Sequence, residues 1–307
     1  MAGLATGVAV VWGLCFVLIQ AGLPSPAPLL LAGLRALIGG AVLALWVMLS
    51  RRLLGPRRSP AGPAGSGAQR RGLPSASVVI VLALANAAVA LGAMYLAAGR
   101  AEAAVASILA GGQPLVLVAA GWALFGERIS ARTVVGLAIA MAGVVLVATT
   151  SSGATSPDGV ALALLAAAAP VVGTILMRRV GPRIDLVVTT SAQFLLGGAM
   201  LVAASALLER WGALSWSGAT IAGLLVLGVL GTGVAYVLWF WLLGRTSLVR
   251  LGAALFLVPA VGVVSGIAVG DRPAAAELVG IVVLLVGIGI VSVGGAVTRS
   301  VDARQTA

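Results

Sequence analysis

Histidine and lysine are both absent from the 307 residues, cysteine occurs once, at Cys15, and charged residues make up only 9% of the chain. With no histidine and a lone thiol, a disulfide framework, a Cys-rich zinc site and a His-ligated metal centre are all out of reach. With no lysine, the GxxxxGK[ST] loop that cradles nucleotide phosphates cannot be built, which disfavours ATP-driven work by this chain. No cofactor and no metal are expected. Catalysis is disfavoured by the missing histidines, by the lack of a buried Ser/Lys pair and by the lack of a carboxylate pair inside any apolar run.

What is present is oil. Hydrophobic residues make up 61% and the mean hydropathy is +1.17, against about 25% charged residues in an ordinary soluble domain. Runs of about 20 apolar residues suffice to cross a hydrocarbon core as helices, and the alternating pattern of a membrane barrel is missing. The predicted spans are 3–21, 29–50, 76–98, 103–124, 131–150, 157–177, 186–208, 217–242, 247–269 and 275–297. The fold class is an all-α integral membrane protein of ten transmembrane helices. The first run lacks a basic start and is longer than a signal sequence core, so it reads as a retained helix.

A net charge of +11 would suggest nucleic acid in a soluble protein, but its distribution points elsewhere. With a cytoplasmic N-terminus, fifteen arginines fall in inside segments and three, Arg100, Arg210 and Arg272, in outside loops. This is the positive-inside bias of a multi-pass protein with both termini cytoplasmic, expected in a bacterial inner membrane. The bilayer and a small-molecule substrate are the expected partners, nucleic acid is not, and monomer and homodimer both stay open.

The segment 51–75 is rich in Pro, Gly, Ser and Arg and reads as a flexible basic linker. A second polar break near 149–159 divides the chain, and the halves repeat. Gly99 and Arg100 match Gly244 and Arg245, Pro114 matches Pro259, and Gly126-Glu127-Arg128 matches Gly270-Asp271-Arg272; RALIGGAVL at 35–43 matches QFLLGGAML at 193–201, and Gly136 and Gly143 match Gly280 and Gly287. The expected domains are 1–150, 151–298 and a cytoplasmic tail 299–307. Five spans per repeat is an odd number, so the repeats enter the membrane from opposite sides. Inverted pairs of this kind place their substrate site near mid-depth, where interrupted helices line a cavity. Pro114 and Pro259 lie near mid-depth of the fourth and ninth spans, where each removes a helix hydrogen bond and frees a carbonyl, of Ala110 and Leu255.

The duplicated spans, WGLCF at 12–16, LRALIGG at 34–40 and the Pro114-to-Glu127 hairpin with its shorter echo from Pro259 to Asp271 resemble the EamA-type family of the drug/metabolite transporter superfamily. The resemblance implies an exporter or exchanger of small metabolites, amino acids or xenobiotics with a central cavity between the repeats. The alternatives are an intramembrane enzyme and a non-transporting membrane subunit.

Arg35 is the one ionisable residue clearly inside a span, about six residues from its outer end. It has two readings: an anion site facing the cavity, or a structural arginine bonded to helix-end carbonyls. Its repeat mate is Gln193. Asn86, Tyr95, Ser107, Gln113, Thr232, Tyr236 and Trp239 complete the candidate cavity set with Pro114 and Pro259, and each has helix-to-helix bonding as its competing role. Gly262, Gly266 and Gly270, and likewise Gly280, Gly287 and Gly294, are each expected on one packing face. The acids all fall in loops, tails or span ends, so facilitated diffusion or exchange is expected over tight proton coupling.

Overall fold

A computed structural model describes residues 2–22, 26–54, 72–101, 105–106, 109, 112–127, 129–150, 156–255, 257–270 and 274–294. They form ten helices: α1 Ala2–Gly22, α2 Pro28–Leu54, α3 Ala76–Ala98, α4 Gln113–Phe125, α5 Ala131–Thr150, α6 Pro157–Val180, α7 Leu186–Leu208, α8 Gly218–Leu243, α9, described over Leu248–Leu255 and Leu257–Ala268, and α10 Ala275–Gly294. Helices α2, α3, α6, α7 and α8 are each long and apolar enough to cross a membrane, and α1, α5 and α10, at 20 or 21 residues, reach about 30 Å.

Short polar side chains start the helices at the interfaces. Ser75, Ser156 and Ser217 accept from the backbone N–H three residues on, and Asp185 accepts from Val187 and Val188, satisfying donors that no carbonyl of the same helix can reach. Leu29 and Leu30, at the start of α2, donate instead to Glu209 beyond the end of α7, at 2.7 and 3.0 Å. One helix's first turn is thus closed by a carboxylate from the other repeat, in the charge sense the helix dipole favours.

Packing repeats with the sequence. A shift of 158 positions carries α2 onto α7, and one of 145 carries α3 onto α8. A Cβ on Gly39 would lie 2.8 Å from the Gly228 carbonyl and 2.9 Å from Thr232, whereas one on Gly197 would lie 2.7 Å from the Ala83 carbonyl and 2.4 Å from Ala87. Gly228 and Thr232 are the shifted positions of Ala83 and Ala87, so α2 sits on α8 as α7 sits on α3. Gly40 against Ser191 and Leu195, and Gly198 against Gly33 and Leu37, are likewise one contact seen from its two ends. Both contacted helices loosen there into π-turns, Ala83–Val89 in α3 and Val229–Val234 in α8, a defect common at functional sites. Helices α5 and α10 pair tightly with each other, joined by Gly143 and Gly287. The architecture is two five-helix repeats of inverted topology, each closing on the other.

Several expectations shift. Helix α2 runs on through Arg51 and Arg52 to Leu54, into the segment read as linker. Gly72, near that segment's far end, is stitched to the α6–α7 turn, donating to the Arg183 carbonyl at 2.9 Å and accepting from Asp185 at 3.1 Å. Residues 55–71, the tail 299–307, Ser107, Ala110 and Asp271 lie outside the described residues. Gly270 is not a packing residue: it ends α9 at φ 110 with no atom near its missing Cβ, a turn conformation that a side chain would strain.

Candidate functional site

A cavity of about 570 Å³, its open mouth included, lies between the repeats. Trp12, Cys15 and Phe16 line it from α1, Arg35 from α2, Ala90, Leu91 and Met94 from α3, and Gln113 from the start of α4. From the second repeat come Ala166, Ala167 and Pro170 of α6, Tyr236 of α8 and Val258 of α9. At about 1.5 Å per residue, Ala90, Pro170 and Val258 lie near the middle of their helices.

The two repeat-related prolines sit beside it. Gly112 precedes α4 and Pro114 falls in that helix's first turn, where a missing N–H costs nothing. Pro259 is buried within α9, beside Val258. Neither proline lines the cavity itself; the residues preceding them do. A third proline does so directly. Pro170 stands inside the continuous α6 and leaves the carbonyl of Ala166, another lining residue, without its helix donor.

Arg35 is 2% exposed. Its Nε donates to Thr232 Oγ1 at 2.9 Å, and Nη2 donates to the Gly231 carbonyl and Cys15 Sγ, both at 3.4 Å. Nη1 donates to the thioether of Met94 at 3.8 Å, and the Tyr95 hydroxyl lies beside the guanidinium. The Thr232 hydroxyl in turn donates to the Leu227 carbonyl at 3.1 Å, and Trp12 Nε1 donates to the Gly231 carbonyl at 3.1 Å. The guanidinium is therefore held against carbonyl and hydroxyl groups that the π-turn of α8 turns toward it. Thr232→Val removes the acceptor of a charged donor and is expected to cost about 1–3 kcal/mol, seen as a lower unfolding temperature of the purified protein.

Gln193, the repeat mate of Arg35, makes the mirror-image reach into the π-turn of α3. It accepts from Asn86 Nδ2 at 2.9 Å, in space left by Gly173, whose absent Cβ would sit 2.4 Å from the Asn86 amide. Asn86 and Gln193 are fully buried and bonded to each other, and neither lines the cavity. Tyr95 lies behind the wall next to Met94, its buried hydroxyl beside the Arg35 guanidinium. Of the expected set, Arg35, Gln113 and Tyr236 face the cavity, whereas Thr232 and Trp239 support residues that do. Trp12, Phe16 and Pro170 escaped notice because apolar lining leaves no polar signal, although an interior proline was a readable one.

Toward the face carrying most of the arginines, aromatic rings pack beside the cavity. Tyr236 meets Phe194 and Phe240 edge-on (4.8 and 5.8 Å between centroids) and Trp12 at a tilt (5.2 Å), and Trp239 lies 5.4 Å from Trp12 with its N–H on Thr174. Nearer that face, Arg178 Nη1 donates to the Leu243 and Thr246 carbonyls at 2.5 and 2.6 Å, and Nη2 lies 3.5 Å from Glu127. Glu127 in turn accepts from the Leu248 N–H at 3.0 Å. The ends of α4, α6 and α8 and the start of α9 are tied at one point.

Fold and cavity define a multi-pass membrane protein of the inverted-repeat transporter class. The EamA-like transporter family matches residues 1–149 and 158–293, and the chain belongs to it. It is 29% identical over 313 residues to the "Probable amino-acid metabolite efflux pump" of Salmonella typhimurium, covering 97% of this chain and 96% of that one. It is 27% identical over 257 residues to the "Uncharacterized transporter YvbV" of Bacillus subtilis, with 83% and 79% covered. A solved structure described as "Crystal structure of protein" shares the fold at a TM-score of 0.68 and 20% identity, over 94% of this chain and 95% of that one. The protein is a membrane transporter of the drug/metabolite type.

Proposed function

We propose that the protein is a bacterial inner-membrane carrier, with both termini cytoplasmic, that exports or exchanges a small organic metabolite by alternating access. The observation that carries this reading is a cavity built from both repeats, with packed aromatic rings and then the Arg178 tie following it toward the arginine-rich face. In this reading the rings and the tie are the closed gate of one half of an alternating-access cycle. The name of the Salmonella relative makes amino acids and their analogues the first substrates to try.

Among the described residues no carboxylate lines the cavity. The second expectation is therefore exchange or facilitated flux without obligatory proton coupling. Purified protein in liposomes should exchange labelled amino acid or analogue across the bilayer. A pH difference imposed alone should not concentrate it. Absence of flux for the whole panel would count against the carrier reading, and uphill accumulation driven by the pH difference against its energetics.

A further inference from the structure

We infer that the transported solute is an organic carboxylate, seated with its anionic group on Nη1 of Arg35 and its apolar body against Trp12, Phe16 and Tyr236. The inference rests on the carrier reading above and names the substrate class of that same cavity. Its starting point is an electrostatic debt. A guanidinium 2% exposed in the membrane interior has, among the described residues, no acidic partner within ion-pair distance. Its neighbours are two hydroxyls, a carbonyl, a thiol and a thioether. Neutral acceptors stabilise such a charge only in part, and an uncompensated buried ion is costly.

The neighbours also decide which part of the charge is available. Nε and Nη2 are engaged by Thr232, Gly231 and Cys15, which fixes the plane of the guanidinium, while the hydrogen bond of Nη1 goes to a weak sulfur acceptor, with the neutral Tyr95 hydroxyl beside the guanidinium. A single open nitrogen suits one carboxylate oxygen in a charge-assisted bond better than a phosphate dianion, which asks for several donors. Gln113 stands half-buried in the same wall, and among the described residues no hydrogen bond occupies its carboxamide. The remaining lining is apolar or aromatic, with the Ala166 carbonyl freed by Pro170 as an acceptor. Together they fit a carboxylate attached to an apolar or aromatic body, with a polar substituent tolerated beside it.

Cys15, the chain's single thiol, lines the cavity and touches Arg35, so it reports on the site without any mutation. Purified protein in liposomes is exposed to methanethiosulfonate reagents of matched size, one anionic and one cationic, and the modification rates are compared. The anionic reagent should react roughly tenfold faster or more, because a charge in a low-dielectric cleft concentrates counter-ions by such factors. Phenylalanine and 3-phenylpropionate should slow the reaction, while phenylalaninamide, phenethylamine and inorganic phosphate should not. Arg35→Gln should erase the preference and Arg35→Lys should keep it. The wild-type comparisons decide the matter even where a variant fails to fold. Equal rates, faster cationic labelling, protection by the amide or amine as strong as by the carboxylate, or stronger protection by phosphate would each overturn the carboxylate assignment and leave the carrier reading standing. No reaction with either reagent would mean that Cys15, 1% exposed, never meets a solute seated on Arg35, and would overturn the carboxylate assignment.

Discussion

Leucine in place of Gly287 is expected to force α5 and α10 apart and to lower the unfolding temperature of the purified protein by about 5–10 °C or more. Even a bare Cβ there would lie 2.4 Å from the Ala140 amide nitrogen and 2.7 Å from both its Cα and the Gly136 carbonyl. All three are backbone atoms of a helix, so no rotamer change relieves the clash and the whole helix must move. Overpacking that side chains can absorb costs about 1–3 kcal/mol; a rigid backbone contact falls at or above the top of that range. At about 2–4 °C per kcal/mol for a chain of this order of size, the shift is readily measured by thermal unfolding in detergent. The mirror position gives the same expectation. A Cβ on Gly143 would lie 2.5 Å from the Leu284 amide and 2.7 Å from the Gly280 carbonyl.

Two controls isolate the cause. Gly289 is in the same helix with nothing within 4 Å of its missing Cβ, so Gly289→Leu should leave the unfolding temperature within a degree or two. Shortening the opposed side chain by Ala140→Gly should not rescue Gly287→Leu, since the obstruction is main chain. Rescue would refute the backbone account, and so would an unchanged melting temperature for Gly287→Leu.

The same residues show what a sequence carries and what it withholds. Span positions follow from hydropathy and length alone, because oil admits few alternatives to a continuous helix. Inversion follows from an odd number of spans per repeat. The Gly-Gly pairs in RALIGGAVL and QFLLGGAML marked a repeat, but the sequence does not say that the first glycine of each pair packs on the third helix of the opposite repeat and the second on its second helix. That exchange depends on how the repeats dock, which no local pattern encodes. For the same reason Asn86 and Gln193 were legible as intramembrane polar groups and illegible as a bonded pair. Arg35 stood out because a lone charge in an apolar run is expensive, whereas its orientation is set by Thr232 and Gly231, 196 or more positions away. Cys15 first mattered for what one thiol excludes; only the folded chain puts it on the cavity wall.

Removing the Arg178 guanidinium is expected to loosen the closed end of the cavity and to slow transport at least tenfold without unfolding the protein. Helices α8 and α9 meet in a turn whose Leu243 and Thr246 carbonyls have Arg178 as a donor from α6, at the end of α8 where the helix dipole favours a cation. Glu127, beyond α4, takes the Leu248 N–H at the start of α9 and stands 3.5 Å from the same guanidinium. The side chain of Arg178 is 27% exposed, so its bonds are partly screened and a net contribution of about 2 kcal/mol is reasonable for the set. That corresponds to a shift of about 30-fold in a two-state equilibrium, enough to depopulate the state closed toward the arginine-rich face. A carrier that must return to that state in every cycle is slowed in proportion. Arg178→Lys should recover only part of the rate, because an ammonium lacks the planar fork that spans two carbonyls. Spin labels on cysteines introduced at Arg179 and Gly244, in a Cys15→Ala background, provide the structural readout. Arg178→Ala should lengthen and broaden their distance distribution, and Glu127→Gln should do so less, since its amide oxygen still accepts the Leu248 N–H. Normal flux with unchanged distances in Arg178→Ala would show that the stacked rings alone close that end.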